Sequence, residues 1–321
     1  MTARLVLHLP DNERALLEAG KMSTLYPRIK RMVERRGGVV EIAPRFAPTE
    51  PDGNLHIVDN ARQPHADTLI SALAYLDRCW HLDPKGVLAD SSIADRVFDP
   101  AIVDAEKAEA YVADLRARFS EPRHSRYHQK KQEEEIDPEG IVIFLQGPPP
   151  YRRGHAYMGR DKMIRAVLDG AGGRPVYIKP HPLRKEEGLK VIRTFEAEGH
   201  RPIKTNANVH DLLRQAAVTV SANSAASIEG FLHGTPTILF ARADFDRAAE
   251  VVKVPEAFPA ALERAVNQPR DYTKFLYWYF SQCLWLDDSD FEARVLARFA
   301  EVGFDAERLG LSVSGKVSHQ A

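Results

Sequence analysis

From residue 140 onward, short apolar runs alternate with helical segments, and this alternation constrains the fold more than any other feature of the chain. Strands are predicted at IVIFL (141–145), PVYI (175–178), RPIKT (201–205), AVTVS (217–221) and PTILF (236–240). Helices are predicted between them, over 160–169, 185–198, 208–216 and 224–234. The first of these strands has no polar residue, which is typical of a strand buried on both faces. Strict alternation of this kind predicts a parallel, doubly wound α/β domain.

The first part of the chain predicts a second α/β domain. Strands are expected at 4–9, 39–43 and 55–59, and helices over 23–37, 66–78 and 104–121. Residues 122–140 contain few apolar side chains and a run of like charge, which favours a solvated linker between domains. A chain of 321 residues is long enough for two domains. We therefore expect an N-terminal domain over 1–135, a second domain over 136–270 and C-terminal helices over 271–321.

Composition and charge exclude several classes of protein. The net charge of −1 argues against a dedicated nucleic-acid-binding protein, which usually carries a basic excess. Cys79 and Cys283 have no CxxC partner, which argues against a disulfide scaffold or a cysteine zinc site. No apolar stretch approaches the ~18 residues of a membrane span, and the N-terminal apolar run is too short for a signal peptide. We expect a cytoplasmic protein. Its basic segment YPRIKRMVERR (26–36) is either a solvated helix face or a peripheral contact with the inner face of the membrane.

The stretch VYIKPHP (176–182) places a lysine and a histidine at the end of a predicted strand. Pro182 disfavours a helical conformation at His181, and Pro180 does the same at Lys179, so this loop should be stiff and extended. Ligands bind at the carboxyl ends of the strands in open α/β sheets. We therefore predict that this loop binds a ligand. A structural histidine is the alternative, and the two prolines make it less favoured.

A second polar loop follows the strand predicted at 217–221. It contains Ser221, Asn223 and Ser224, and Ala225 then begins a predicted helix. Unpaired N–H groups at a helix start, together with small side chains, suit a phosphate. Glu229 lies one turn after Ala225 and could reach the hydroxyl groups of an attached ribose. Alternatively, Ser224 is an ordinary N-cap and Glu229 is a solvated charge.

Both loops follow strands of one predicted parallel sheet, so they should face the same crevice. A lysine, a histidine, hydroxyl groups and a helix start all favour an anion, and a nucleotide phosphate fits best. The chain contains no GxxxxGK[ST] sequence and no GxGxxG sequence after a strand. Neither a P-loop nor a dinucleotide fingerprint is therefore predicted.

YIKPHP (177–182) and SANSAASIEGFLHGTPTILF (221–240) together resemble the capsular polysaccharide biosynthesis family, which includes bacterial Kdo (3-deoxy-manno-octulosonic acid) transferases. FLQG (144–147) and HSRYH (124–128) are further, looser similarities. The resemblance implies an α/β, GT-B-like fold of two facing, Rossmann-like, doubly wound domains. The second domain would hold the nucleotide-sugar donor and the first domain the acceptor, and the C-terminal helices would cross back to the first domain. The implied donor is a CMP-activated acidic sugar, and the implied acceptor is a glycan or glycolipid of the capsule or lipopolysaccharide type. No metal and no cofactor are implied.

The resemblance also assigns roles to individual residues. His181 would contact the CMP phosphate and donate a hydrogen bond or a proton to it as it leaves. Ser224 and the neighbouring N–H groups would hold the same phosphate, and Glu229 would bind the ribose. The remaining residues expected in the nucleotide-sugar site are Gln146, Lys179, Ser221, Asn223 and Ala225.

The catalytic base is predicted on the first domain. CWHLDPKG (79–86) offers Asp83 on a loop after the predicted helix at 66–78, and we expect this carboxylate to act on the acceptor or on the anomeric carbon. An Asp-Pro turn is the alternative. Arg152 and Arg153 would contact the sugar carboxylate, since a guanidinium group matches a carboxylate with two parallel hydrogen bonds. The alternative for these two arginines is a solvated basic loop.

Two other functions stay open from the sequence. A UDP-sugar-dependent GT-B enzyme or epimerase would share the phosphate and ribose sites but bind a diphosphate. A non-catalytic partner in polysaccharide assembly or export would keep the fold without the acceptor-side base.

Overall fold

The computed structural model describes residues 2–61, 65–125, 127, 131–268 and 270–312. Within these residues the chain forms twelve strands and eleven α-helices. The strands are β1 (Leu5–Leu9), β2 (Val40–Pro44), β3 (Leu55–Asp59), β4 (Thr68–Leu73), β5 (Cys79–Asp83), β6 (Ile141–Phe144), β7 (Val176–Lys179), β8 (Ile203–Lys204), β9 (Val218–Ser221), β10 (Thr237–Leu239), β11 (Glu250–Val251) and β12 (Leu284–Trp285). The helices are α1 (Asp11–Glu18), α2 (Leu25–Arg35), α3 (Ala105–Leu115), α4 (Pro149–Arg152), α5 (Arg160–Gly170), α6 (Lys185–Ala197), α7 (Val209–Gln215), α8 (Ala225–Leu232), α9 (Phe258–Asn267), α10 (Thr273–Phe280) and α11 (Phe291–Glu301).

The chain divides into two compact units. Unit 1 comprises Met1–Ala74, Arg78–Arg96 and Ser281–Ala321, and unit 2 comprises Tyr75–Asp77 and Val97–Phe280. These boundaries differ from the predicted ones, because α3 and α10 both belong to unit 2. The two helices pack against each other, and the rings of Tyr111 and Tyr277 meet edge to face at 5.4 Å between centroids. Strand β12 and helix α11 belong to unit 1.

The sheet of unit 1 has the strand order β12-β5-β4-β3-β1-β2. Strands β1 to β4 are parallel, β5 is antiparallel to β4, and β12 is antiparallel to β5. The helix predicted over 66–78 is wrong, because this segment forms β4 and a turn. Leu69 and Ile70 are both fully buried but belong to core clusters on opposite sides of the sheet, as successive strand residues do. A short apolar run does not distinguish a buried strand from a buried helix.

The two cysteines of unit 1 are neighbours in space. Strand β12 pairs with β5, so that Trp285 lies opposite Cys79, and Cys283 precedes β12 by one residue. Both thiols are buried. Burial raises the pKa of the Cys79 thiol, and a hydrogen bond with Cys283 raises it further. The two cysteines are therefore far apart in the sequence but in contact in the structure, because β12 pairs with β5.

The sheet of unit 2 has the strand order β11-β10-β9-β6-β7-β8, and all of its pairs are parallel. One apolar cluster joins α5, α6 and α9 to one face of this sheet. A second cluster joins α7 and α8 to the other face. The predicted doubly wound, Rossmann-like α/β architecture is therefore confirmed for this unit.

The segment predicted as a solvated linker between domains, 122–140, lies within unit 2 and does not join the two units. Its described part is bonded to α7. Arg123 donates from Nη2 to Asp211 Oδ2 at 2.7 Å, and Gln215 donates from Nε2 to the Glu134 carbonyl at 3.0 Å. Most of its described residues are exposed, as a solvated segment requires, but several of its polar groups also bond to this helix. His128, in the HSRYH similarity, lies outside the described residues.

The basic face of α2 is partly neutralised. Lys30 pairs with Glu34 at 2.6 Å, and Arg36 pairs with Glu292 at 3.0 Å. Peripheral membrane contact through this helix stays a prediction. No helix in the described part of the chain is both long enough and apolar enough to cross a membrane.

Candidate functional site

The strand order of unit 2 places a topological switch point between β6 and β9. The chain leaves β6 for β7 and β8 on one side of the sheet, then returns to β9 on the other side of β6. Ligands of open α/β sheets bind outside the carboxyl ends of the strands at such a point, where the loops diverge and leave a crevice. Gln146 lies two residues after β6, and Asn223 lies two residues after β9. Both were predicted to bind the nucleotide-sugar.

Gln146 and Asn223 are bonded to each other across this switch point. The Asn223 N–H donates to Gln146 Oε1 at 2.8 Å, and Gln146 Nε2 donates to Asn223 Oδ1 at 3.3 Å. Asn223 Nδ2 also donates to the carbonyl of Arg242 at 2.9 Å, after β10. This bridge fixes the loops after three neighbouring strands at one edge of the sheet.

The start of α8 is a capped helix terminus beside this bridge. Ser224 is its N-cap, as one of the predictions had it, and its Oγ accepts from the Ala226 N–H at 3.3 Å. Ser221 is fully buried and supports the cap, since its Oγ accepts from the Ser224 N–H at 3.0 Å. The Ala225 N–H makes no hydrogen bond within the described residues, and Ala225 is half-buried. It remains available to an anion.

His181 has the extended backbone that its two prolines predict, with φ −63° and ψ 132°. The Leu183 N–H donates to His181 Nδ1 at 3.2 Å. Because Nδ1 is an acceptor there, the neutral ring carries its proton on Nε2. The ring of Tyr127 meets the His181 ring edge to face at 5.2 Å between centroids. These contacts leave His181 half-buried, with Nε2 as a donor.

The same strand order sets the spacing between His181 and Ser224. His181 follows β7 and Ser224 follows β9, and β6 lies between the two strands. Two strand spacings separate the ends of the two strands by roughly 10 Å. The structure thus brings His181, Gln146, Asn223, Ser224 and Ala225 to three adjacent carboxyl ends.

Lys179 is the last residue of β7 and is buried. Its Nζ donates to the Ala207 carbonyl at 2.5 Å. The ammonium group is thus bonded to a backbone carbonyl in the segment after β8. Its contact with a phosphate stays a prediction.

Glu229 is not a solvated charge, because only 6% of it is exposed. Its Oε2 has no hydrogen-bond partner within the described residues and lies 3.9 Å from His210 Nε2. His210 Nε2 donates instead to the His124 carbonyl at 2.8 Å. Burial raises the pKa of Glu229 to about 7. It is a buried carboxyl group that lacks donors.

The histidines around Glu229 do not supply a compensating charge. Burial lowers the pKa of His210, and burial together with His210 lowers the pKa of His233 to about 4. Since His210 Nε2 carries the proton, His210 Nδ1 accepts from His233 Nε2 at 3.0 Å. Both rings are therefore neutral at neutral pH.

Four arginines lie on segments that follow the carboxyl ends of β6, β7 and β10, and only two of them were predicted. Arg152 and Arg153 lie on α4 and just after it, in a loop held to the end of β10 by the Tyr157 N–H, which donates to the Phe240 carbonyl at 2.9 Å. Arg184 was missed, and its Nε is close enough to the loop after β6 that a β-carbon at Gly147 would meet it at 3.1 Å. Arg242 was also missed and is exposed after β10. His181 was identified because ligands bind at the carboxyl ends of parallel strands, and the same reasoning could have identified Arg184 and Arg242.

Asp83 lies in unit 1 at the end of β5, not on a loop after a helix as predicted. It is buried, and its carboxylate accepts from the N–H groups of Lys85 at 2.8 Å, Gly86 at 3.0 Å and Ser92 at 3.0 Å. Because β5 is antiparallel to β4, Asp83 faces the edge of the sheet where the parallel strands begin. In these contacts Asp83 stabilises a turn of the backbone. The catalytic role of Asp83 stays a prediction.

Within the described residues, no group of three or more His, Cys, Asp or Glu side chains is arranged to hold a metal ion.

No protein-family model and no curated protein matches this chain. Among solved structures it is similar to the β-Kdo 2,4-transferase of Thermosulfurimonas dismutans KpsC, with 15% identity, 81% of this chain and 90% of that chain covered, and a TM-score of 0.49. It is also similar to the β-Kdo 2,7-transferase of the same KpsC, with 11% identity, 79% and 84% covered, and a TM-score of 0.47.

A third similar structure is the UDP-GlcNAc 2-epimerase of Methanocaldococcus jannaschii, with 11% identity, 55% of this chain and 49% of that chain covered, and a TM-score of 0.34.

Proposed function

We propose that this protein is a glycosyltransferase that moves an acidic, Kdo-like sugar from a CMP-activated donor to a glycan or glycolipid of the capsule or lipopolysaccharide type. The observation that carries the proposal is the Gln146–Asn223 bridge at the switch point of unit 2. It has His181 on one side and the start of α8 on the other. This is the place where an open parallel sheet binds a nucleotide.

The phosphate of CMP would lie over this bridge. His181 Nε2 would donate from the β7 side, and the Ala225 N–H and the Ser224 hydroxyl would donate from the β9 side. The start of α8 adds a partial positive charge that favours an anion. A phosphate with contacts of roughly 3 Å on each side suits two groups about 10 Å apart or less. In the proposed complex, one phosphate thus takes both sets of donors without a metal or a cofactor.

Glu229 would receive the ribose. A buried carboxyl oxygen without a partner costs free energy, because it has lost water and gained no donor. Glu229 Oε2 is such an atom, one turn into the helix whose start would hold the phosphate. The two hydroxyl groups of a ribose would supply the missing donors. This contact favours a nucleotide over a simple sugar phosphate.

The same groups would act in the chemical step. Transfer of the sugar breaks the bond between its anomeric carbon and a phosphate oxygen, and negative charge develops on the CMP that leaves. Donors already aimed at that phosphate stabilise the charge as it forms. His181 would donate a hydrogen bond or a proton to it from Nε2. Arg242 adds positive charge at the same edge, as does Arg184, which is paired with Glu187 at 3.2 Å.

Titration calorimetry with CMP, CDP, UDP and GDP tests the donor assignment. We expect CMP to bind most tightly, and we expect CMP release when a CMP-activated acidic sugar is supplied with a glycan acceptor. A preference for UDP would favour the UDP-sugar-dependent alternative. Binding of none of the four nucleotides would contradict the proposal.

The variant His181→Ala tests the phosphate site directly. We expect the Kd for CMP to rise about tenfold or more, because a charge-assisted hydrogen bond is lost. The midpoint of thermal unfolding should stay unchanged, since the side chain is half-buried at the edge of the sheet. His200→Ala, three residues after the end of α6, is the matched control and should keep full affinity. Loss of the unfolding transition in His181→Ala would mean that His181 is structural.

A further inference from the structure

We propose that unit 1 contains a second ligand site, which binds a hydroxyl-rich carbohydrate through Glu13, Arg45, Phe46 and Asp59. These side chains lie at the carboxyl edge of the unit 1 sheet, and none of them was singled out from the sequence.

The position of this site follows from the strand order. Strand β1 lies between β2 and β3, so the chain passes outward to β2 and then returns to β3 on the other side. Unit 1 therefore has its own switch point, between the carboxyl ends of β1 and β3. Asp59 is the last residue of β3, and Glu13 lies in the first turn of α1, which begins two residues after β1. Arg45 directly follows β2.

The polar groups at this edge are held in place but incompletely bonded. Tyr26 is fully buried, and its hydroxyl donates to Asp59 Oδ1 at 2.7 Å. Arg45 Nη2 donates to the Asn60 carbonyl at 2.8 Å. Arg45 Nε lies 3.7 Å from Asp59 Oδ2, too far for a hydrogen bond. Asp59 and Arg45 are thus held in place, and Arg45 Nε has no hydrogen-bond partner within the described residues.

Two of the polar atoms at this edge are also out of contact with water. Glu13 Oε2 and Arg45 Nε are buried and have no hydrogen-bond partner within the described residues. Such atoms are costly unless a ligand or an ordered water bonds to them. A hydroxyl group can both accept from Arg45 and donate to a carboxyl oxygen, and neighbouring hydroxyl groups on a sugar ring can do this in sequence.

The charges at this edge favour a neutral hydroxyl-rich ligand over an anion. Two carboxyl groups face one guanidinium group. Burial raises the pKa of Asp59, and burial together with Asp59 raises the pKa of Glu13. Two carboxyl groups repel a phosphate, whereas their oxygens accept from the hydroxyl groups of a neutral ligand.

Phe46 supplies an apolar surface next to these polar groups. Its side chain is 90% exposed, and the guanidinium carbon of Arg45 lies 5.3 Å from its ring centre. One exposed aromatic residue is unremarkable by itself. Next to a row of hydroxyl-binding groups, its ring offers a face on which the C–H side of a sugar can pack, while Arg45 and Asp59 bind the hydroxyl edge. Under the proposed function this carbohydrate is the acceptor, and only that identification rests on the proposed function.

Saturation-transfer NMR on the full chain, without nucleotide, tests this site. The probes are the methyl glycosides of glucose, galactose and mannose at millimolar concentration. We expect saturation transfer to at least one of them. Asp59→Asn and Phe46→Ala should each raise its Kd about tenfold, which corresponds to the loss of one good contact. Glu18→Gln, an exposed glutamate on α1, and Ile102→Ala, an exposed apolar residue of unit 2, are the matched controls and should bind like the wild type.

The possible outcomes separate this proposal from the proposed function. No transfer to any of the three glycosides overturns the sugar site, as does transfer that survives both variants. Phe46→Ala protects the test against misfolding, since its side chain is almost fully exposed. Calorimetry with CMP on the same variants should give wild-type affinity. If the wild type binds a glycoside but does not bind CMP, only the proposed function is refuted.

Discussion

Replacement of Glu229 by glutamine should stabilise unit 2 at alkaline pH and weaken nucleotide binding. Glutamine keeps the shape of the side chain but carries no charge. Glu229 is buried, and its Oε2 has no hydrogen-bond partner in the described part of the chain. The variant therefore removes a buried charge that the fold does not compensate.

The magnitude follows from the pKa. Burial raises the pKa of Glu229 from 4.5 to about 7. Between these values the folded state holds the proton more tightly than the unfolded state, so the free energy of unfolding falls as the pH rises. The shift is 7 − 4.5, or about 2.5 pH units at 1.36 kcal/mol each, which gives about 3 kcal/mol. The wild type loses this stability from pH 4.5 to about 7, and Glu229→Gln does not.

Urea unfolding of wild type and Glu229→Gln at acid and alkaline pH measures this difference. We expect the stability of the variant relative to the wild type to increase by about 3 kcal/mol between pH 4 and pH 8. Any constant cost of the substitution cancels in this comparison. Glu263→Gln, an exposed glutamate on α9, is the matched control and should give no such change.

Calorimetry on the same proteins tests the ribose contact. A carboxylate that accepts two ribose hydroxyl groups should bind CMP more weakly as the pH falls below about 7, because protonation competes with the ligand. The variant should bind CMP about tenfold more weakly at pH 8 and should show no such pH dependence. Parallel stability profiles for wild type and variant would refute the raised pKa. Equal CMP affinity would refute the ribose contact.

Two further variants test the support of the sites. Gly188→Ala should destabilise unit 2 by about 1–3 kcal/mol, although alanine normally stabilises a helix by about 1 kcal/mol, because the new β-carbon would lie 2.6 Å from that of Pro180. Thermal unfolding measures whether the variant is less stable than the wild type, and we also expect it to bind CMP more weakly. A variant more stable than the wild type would contradict the close packing of Gly188 against Pro180. Asp83→Ala should destabilise unit 1 by about 3 kcal/mol or more, because three N–H groups lose their acceptor, and should leave CMP affinity unchanged. If Asp83→Asn stays as stable as the wild type and loses only turnover, the predicted catalytic role is correct and the structural one is not.

The sequence by itself determined the features that depend on neighbouring residues. The alternation after residue 140 predicted strands β6 to β10 and helices α5 to α8 of unit 2, because strand and helix periodicities are set within a few residues. The two prolines predicted the extended backbone of His181, and the small polar loop predicted Ser224 as a cap. The local conformations at the candidate site were therefore predictable, and so was the edge of the sheet on which they lie.

Only the tertiary structure decided which residues meet and which are buried. Gln146 and Asn223 are 77 residues apart and pair because β9 returns to the side of β6. Glu229 looks like a surface charge in the sequence and becomes a buried carboxyl group through the packing of α8. Segment 66–78 has apolar residues that fit a helix, and it became β4 because Leu69 and Ile70 are buried on opposite faces. Periodicity constrains the local backbone, but burial and pairing depend on partners that the fold brings from distant parts of the chain.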